Sequence, residues 1–133
     1  MSGENVEIVK RAVQALNERD LETLRDLWHP NVEYHGLGEW PDRPRVLRGL
    51  EELEPVLTLA DDDFDDARSE TQELIDAGDR VVIVFEVNVI GKQSRAPVRF
   101  TDAAVYTISA GLITRIEICG TREKALEAVG LSE

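Results

Sequence analysis

Two runs decide the fold: Arg80-Val81-Val82-Ile83-Val84-Phe85-Glu86-Val87-Asn88-Val89-Ile90 and, after a turn over Gly91 to Ala96, Val98-Arg99-Phe100-Thr101-Asp102-Ala103-Ala104-Val105-Tyr106-Thr107-Ile108. Both are rich in β-branched and aromatic residues and are bounded by turn residues, which predicts two consecutive antiparallel strands. The same pattern extends to either side. Residues 68 to 76 predict a strand that ends in the turn Ala77-Gly78-Asp79, and Ala110-Gly111 turns the chain into a strand over Leu112 to Cys119.

The first half has a different period. Val6, Val9, Val13 and Leu16, with Ala12 between them, recur at helical spacing, and Glu7, Lys10, Arg11 and Glu18 take the other face. Ser2 or Asn5 is a candidate cap for its start. Asp20 is a natural N-cap for a second short helix carrying Leu21, Leu24, Leu27 and Trp28, and Pro30 cannot continue it. Val32 to His35 predicts a short strand. Residues 36 to 48 are broken by Gly36, Gly38, Pro41 and Pro44. A third helix is expected from about Gly49 to Leu59, shortened or bent by Pro55. Thr121 is a plausible N-cap for a last helix with Ala125, Leu126 and Val129 on its apolar side and Gly130 as its stop. Helices first and antiparallel strands second predict an α+β domain in which helices cover one face of a curved sheet and enclose a pocket.

Composition narrows the function. The chain has 133 residues, is 42% apolar and carries a formal charge of −12. An apolar share of that size supports one real core, hence one domain over residues 1–133. The charge would repel phosphate backbones and anionic lipid, so neither nucleic acid nor a membrane surface is an expected partner. The longest run of bulky apolar residues, Val81 to Phe85, is far short of the roughly 20 residues of a spanning helix. A single cysteine, Cys119, precludes an intrachain disulfide, and the polar, acidic start Met1 to Asn5 lacks the basic and apolar regions of a signal peptide. The expected location is cytoplasmic.

The order and spacing of several short pieces resemble the SnoaL-like proteins of the nuclear transport factor 2-like (ketosteroid isomerase-like) superfamily. The pieces are Val9 to Asn17 followed by Asp20-Leu21; Leu27-Trp28-His29-Pro30-Asn31-Val32-Glu33-Tyr34-His35; Arg48-Gly49; Ile75 to Asp79; and Arg122 to Leu131. The resemblance implies a cone-shaped α+β fold with an apolar pocket, usually a homodimer. It does not imply one function, because the superfamily holds isomerases, polyketide cyclases, epoxide hydrolases, dehydratases and non-catalytic binders. Ketosteroid isomerases place a tyrosine in the first helix and an aspartate base just after a Val-Glu pair. Here those positions hold Ala12 and Tyr34, so two of their three catalytic roles are vacant; the third, a strand aspartic acid, corresponds to Asp102. The SnoaL cyclase pairing of aspartate with histidine has its only counterpart in Asp102 with His35.

The residues supply the same candidates. Strand side chains alternate faces, so Val98, Phe100, Asp102, Ala104, Tyr106 and Ile108 share one largely apolar face. A carboxylate there is poorly solvated and suited to proton transfer, unless it is held by a tyrosine or a backbone amide. Tyr34 shares parity with Val32 and is the better inward residue; His35, its neighbour, is the alternative, either as a proton shuttle or as a surface histidine. Asp102, Tyr34 and His35 are therefore the candidate catalytic residues. Trp28, Trp40, Phe64, Phe85, Phe100 and Tyr106 are the candidate ligand contacts, with Trp40, in the Gly/Pro-broken segment, expected to be a pocket lid or a subunit contact.

Glu86 and Asn88, with Arg99 and Arg115 nearby, suggest a mixed outer sheet face suited to a dimer contact or to solvated ion pairs. No cofactor or metal is implied. The chain lacks GxGxxG, P-loop and GxSxG motifs, the aspartate run 61–66 lacks an EF-hand's glycine and distal glutamate, and His29, His35 and Cys119 have no paired ligand spacing. The expected function is that of a small-molecule pocket protein. It performs cofactor-free proton transfer of isomerase, cyclase or hydrolase type on a small apolar metabolite, or it is a non-catalytic ligand-binding homodimer of the same fold.

Overall fold

The structure, a computed structural model, describes residues 2–36, 46–54, 64–91 and 95–131, of which residues 2 and 64–67 by their backbone alone. The elements run α1 (Ser2–Glu18), α2 (Leu21–Leu27), β1 (Trp28–His35), β2 (Val46–Arg48), a helical turn α3 over 49–54, β3 (Phe64–Ala77), β4 (Arg80–Gly91), β5 (Pro97–Ser109), β6 (Leu112–Ile118) and α4 (Arg122–Ala128). The strands form one mixed six-stranded sheet in the order β2-β1-β6-β5-β4-β3. The sheet is curved and does not close. Strands β3 to β6 are the predicted antiparallel meander. Strand β1 joins it beside β6 in parallel, which local pattern does not disclose, and β2 pairs antiparallel with β1.

Turn and cap chemistry acts where the sequence puts it. Asp20 Oδ1 accepts the Thr23 backbone N–H at 3.1 Å and Thr121 Oγ1 accepts that of Lys124 at 3.2 Å, so both residues cap their helices. Asn5 does not cap α1, which already starts at Ser2; its side chain donates to the Gly78 carbonyl at 2.9 Å and ties the helix to the β3–β4 turn. Ala110 and Gly111 both have positive φ, 51° and 80°, between the paired residues Ser109 and Leu112. This is a two-residue hairpin whose twist matches the strands. Gly49, at φ 80°, lets the chain turn from β2 into α3, and a Cβ there would lie 3.3 Å from the Pro30 carbonyl oxygen.

Several boundaries differ from the expectation. Trp28 fits the spacing of Leu24 and Leu27, yet it is the first residue of β1, with extended backbone (φ −98°, ψ 137°), so β1 is twice the predicted length and contains Pro30. Val46 to Arg48, inside a segment expected to be irregular, form β2. Strand β3 begins at Phe64, four residues before its expected start. Of the predicted helix from Gly49 to Leu59, residues 49–54 are helical and the rest lie outside the described residues, as do Trp40 and, in side chain, Phe64 and the aspartate run.

Two apolar layers result. The larger one lies on the concave face, where Val9, Ala12 and Val13 of α1, Leu24 and Leu27 of α2 and Leu53 of α3 pack on Val32, Ile83, Ala104 and Ile113. The smaller one lies on the convex face, where Ala125 and Val129 at the end of the chain cover Val82, Val84, Ala103 and Val105. Helices therefore sit on both faces, with α4 over Val82 and Val84 of the outer one. The rest is charged: Glu33 pairs in register with Arg48 on one side and Arg115 on the other. Arg99 approaches Glu86 at 3.7 Å on the same face. Among the described residues no helix is long and apolar enough to cross a membrane.

Candidate functional site

A cavity of about 300 Å³ opens between α1 and the concave face, a size within the small-ligand range. Strand register lays out its floor as rows. At the mouth Phe100 faces Val87, which faces Ser69. Further in, Asp102 faces Phe85. Deeper still, Tyr106 and Tyr34 flank Ile116 across three strands. Val13 and Leu16 of α1 and Leu53 of α3 form the roof, and Trp28 belongs to the lining. Phe100 is 47% exposed and Trp28 only 2%, so the cavity runs from an open aromatic rim to a closed end. Asp102 and Tyr106 are four positions apart, roughly 13 Å of extended strand.

The structure brings together Asp102 and Tyr34 with Trp28, Phe85, Phe100 and Tyr106. It does not bring in His35. Parity sends His35 to the convex face beside Glu33, whose Oε1 lies 2.9 Å from the histidine Nε2, so the proposed shuttle is outside the cavity. Val98, on the same strand face as Phe100, is 51% exposed beyond the rim and contributes nothing to the lining. Trp40 and the Phe64 side chain are not among the described residues. Of the aliphatic wall, sequence reading names Val13 and Leu16 only as the apolar side of the first helix, and it gives Leu53 and Ile116 no part in a site. Their helical or alternating apolar spacing was the only available signal.

Two backbone N–H groups hold the Asp102 carboxyl at Oδ1. Oδ1 accepts the backbone N–H of Ala103 at 2.7 Å and that of Gly120 at 3.0 Å. The second bond crosses from β5 to the residues between β6 and α4, and Cys119 donates its backbone N–H to the Ala103 carbonyl at 2.8 Å beside it. Those two N–H bonds anchor the carboxyl to the backbone of β5 and of the β6–α4 junction. Burial, reinforced by the Asp102 carboxylate, pushes the Tyr34 hydroxyl above its ordinary value. Burial pushes Tyr106 up further, with Tyr34 adding to it. Both phenols stay protonated at neutral pH and act as donors. Burial also raises the Cys119 thiol, with Glu117 and Asp102 contributing, so it is no thiolate nucleophile.

Asn17, near the end of α1, positions this site from the side. Its amide donates to the Ser69 carbonyl at 2.8 Å and accepts the Ser69 N–H at 2.9 Å. Ser69 lies on the edge strand β3, so Asn17 takes the place of a neighbouring strand and locks the helical roof to the mouth of the cavity.

With this geometry in hand, comparisons with known proteins are informative. The family model of the SnoaL-like domain matches residues 9–116. No curated protein matches. Among solved structures, Bal32a from a soil-derived mobile gene cassette superposes with a TM-score of 0.79 at 17% identity, over 88% of each chain. TerC co-crystallized with polyporic acid gives 0.77 at 21% identity, over 95% of this chain and 98% of the other. A protein with a ketosteroid isomerase-like fold from Catenulispora acidiphila, in complex with trimethylamine, gives 0.74 at 18% identity, over 94% and 93%. At such identities the likeness is one of fold, the nuclear transport factor 2-like fold that the six-stranded sheet and its helices form.

Proposed function

This chain belongs to the SnoaL-like domain family, and we propose that it takes up a small, largely apolar molecule in the cavity and acts on it with Asp102 and Tyr34. The observation that carries this reading is the placing of one carboxyl and two protonated phenols on a single cavity whose walls, Ser69 apart, are otherwise apolar. Low polarity strengthens each hydrogen bond made inside such a space. The Asp102 carboxyl takes up and returns a proton, while Tyr34 donates to a carbonyl or hydroxyl oxygen of the bound molecule. That pairing suits proton transfer next to a carbonyl, the step shared by isomerase- and cyclase-type reactions, and it calls on no cofactor. One neighbour of the same fold is co-crystallized with polyporic acid, which agrees with an apolar, oxygen-bearing ligand.

A second reading has its own support. The Ala103 and Gly120 N–H groups give Asp102 a structural task, which fits a non-catalytic binding module of the same fold. Asp102→Asn separates the two. The amide preserves shape and accepts the same N–H bonds but cannot exchange the proton. Under the catalytic reading it retains the fold and ligand affinity and loses turnover, and Tyr34→Phe weakens both. Full turnover in folded Asp102→Asn would move the assignment to the binding module. Under either reading the chain acts as a homodimer, and light scattering that gives a 14.9 kDa particle at tens of micromolar refutes this.

A further inference from the structure

Trp28 presents an unmet hydrogen-bonding demand at the cavity. Its side chain lines the space and is 2% exposed, and its indole Nε1 is buried with no hydrogen-bond partner. An indole N–H can only donate, and a buried donor left unpaired is costly. The described residues that line the cavity include no lysine or arginine, and its remaining polar side chains are Tyr34, Tyr106, Ser69 and Asp102. Water is a poor partner there, because it needs two to four polar neighbours and Trp28 belongs to the buried apolar cluster, opposite Ile113 in strand register.

We propose that Trp28 is a specificity-determining residue: its Nε1–H donates to an oxygen of the bound molecule, so the site selects ligands that carry a neutral hydrogen-bond acceptor on an otherwise apolar frame. This inference rests on the ligand-binding reading of the cavity and names the chemistry of its ligand. The acceptor is a carbonyl, ether or phenolic oxygen, since no cation lines the described wall to balance a carboxylate or phosphate. Nε1 is shielded in this structure, so a seated oxygen must meet it as the indole turns about its terminal torsion.

A matched pair of probes tests this on the whole protein: 1-tetralone and tetralin, which differ by one carbonyl. The chain has two tryptophans, so the ¹⁵N-labelled protein gives two indole N–H signals, and Trp28→Phe assigns them. The expected result is a downfield shift of the Trp28 indole proton with 1-tetralone but not with tetralin. 1-Tetralone should also bind about five- to tenfold more tightly than tetralin, and Trp28→Phe should bring that ratio to about one. If the two probes bind equally and leave the Trp28 signal in the same place, the Trp28 inference falls and the cavity reading stands. A preference that survives in Trp28→Phe overturns it as well. If neither probe binds up to its solubility limit, the cavity reading falls with it. Should Trp28→Phe fail to fold, Trp40→Phe assigns the two signals and the shift of the Trp28 indole proton decides.

Discussion

The Gly120 backbone N–H donates to Asp102 Oδ1 at 3.0 Å, so the acid that faces the cavity also pins the junction between β6 and α4. One carboxyl thus serves the site and the frame, and its variants should part along that line. Asp102→Ala strands the Gly120 and Ala103 N–H donors and should cost about 1–3 kcal/mol of stability. Asp102→Asn keeps an acceptor in place and should lose well under half of that. Thermal unfolding of the two variants side by side checks this; equal losses would mean that charge, not the accepted bonds, holds the junction.

Asn17 makes a second prediction. Its amide satisfies both backbone groups of Ser69 on the outer edge of β3. Asn17→Ala removes both bonds and should destabilise by about 1–3 kcal/mol, and Asn17→Asp, which loses the donor but retains an acceptor, should fall between that and wild type. Urea unfolding with unchanged m-values is the measurement. A wild-type midpoint for Asn17→Ala would show that water replaces the clamp at no cost.

How far the sequence discloses this arrangement depends on the range of the interactions involved. The hairpins β3 to β6 are local, and the Val/Ile alternation of β4 and β5 marks both their extent and the inward set Phe100, Asp102 and Tyr106. Parity alone puts Tyr34 inside and His35 out. Trp28 is misread because an apolar residue one step after Leu27 satisfies helical spacing equally well, and only the pairing with Ile113, 85 positions away, settles it as strand. Strand β2 escapes notice for the same reason: three residues carry no period, and their strand character comes from β1. The second layer under α4 was legible only in part. Ala125 and Val129 announce an amphipathic helix, but not which face of the sheet it covers.

The third prediction concerns acid. Hydrogen bonds from Arg122 hold the Glu73 carboxyl below its ordinary 4.5, with the arginine's charge contributing and burial opposing. Glu33, beside His35, and Glu54, beside Arg25, are lowered in the same way. For a depressed carboxyl the unfolded state binds more protons in acid. Its stabilising contribution is therefore complete above the unfolded value and is lost as pH falls through the folded one. Melting temperature should hold from pH 7 to about 5 and then drop, and Glu73→Gln should start lower and drop less steeply. Parallel curves for wild type and Glu73→Gln would exclude the Arg122 pair from acid unfolding.

The last prediction is a gain. The β5–β6 hairpin turns on Ala110 and Gly111, with φ of 51° and 80°. Gly111 takes positive φ freely, but at Ala110 the Cβ crowds the backbone, a strain on the order of 1 kcal/mol. Asparagine tolerates that region through its short polar side chain, and Asn-Gly is the favoured pair for a two-residue hairpin of this twist. Ala110 is exposed, so the larger side chain meets no packed neighbour. Ala110→Asn should therefore raise stability by about 0.5–1 kcal/mol, visible as a rise of a few degrees in melting temperature. The hairpin lies at the end of β5 beyond Tyr106 and Ile108, away from the Phe100 rim, so ligand affinity should not change. Ala110→Val tests the same strain in the opposite direction: a β-branched residue at positive φ should lower the melting temperature. If Asn and Val at position 110 shift it alike, the turn geometry at Ala110 is not the source of the strain.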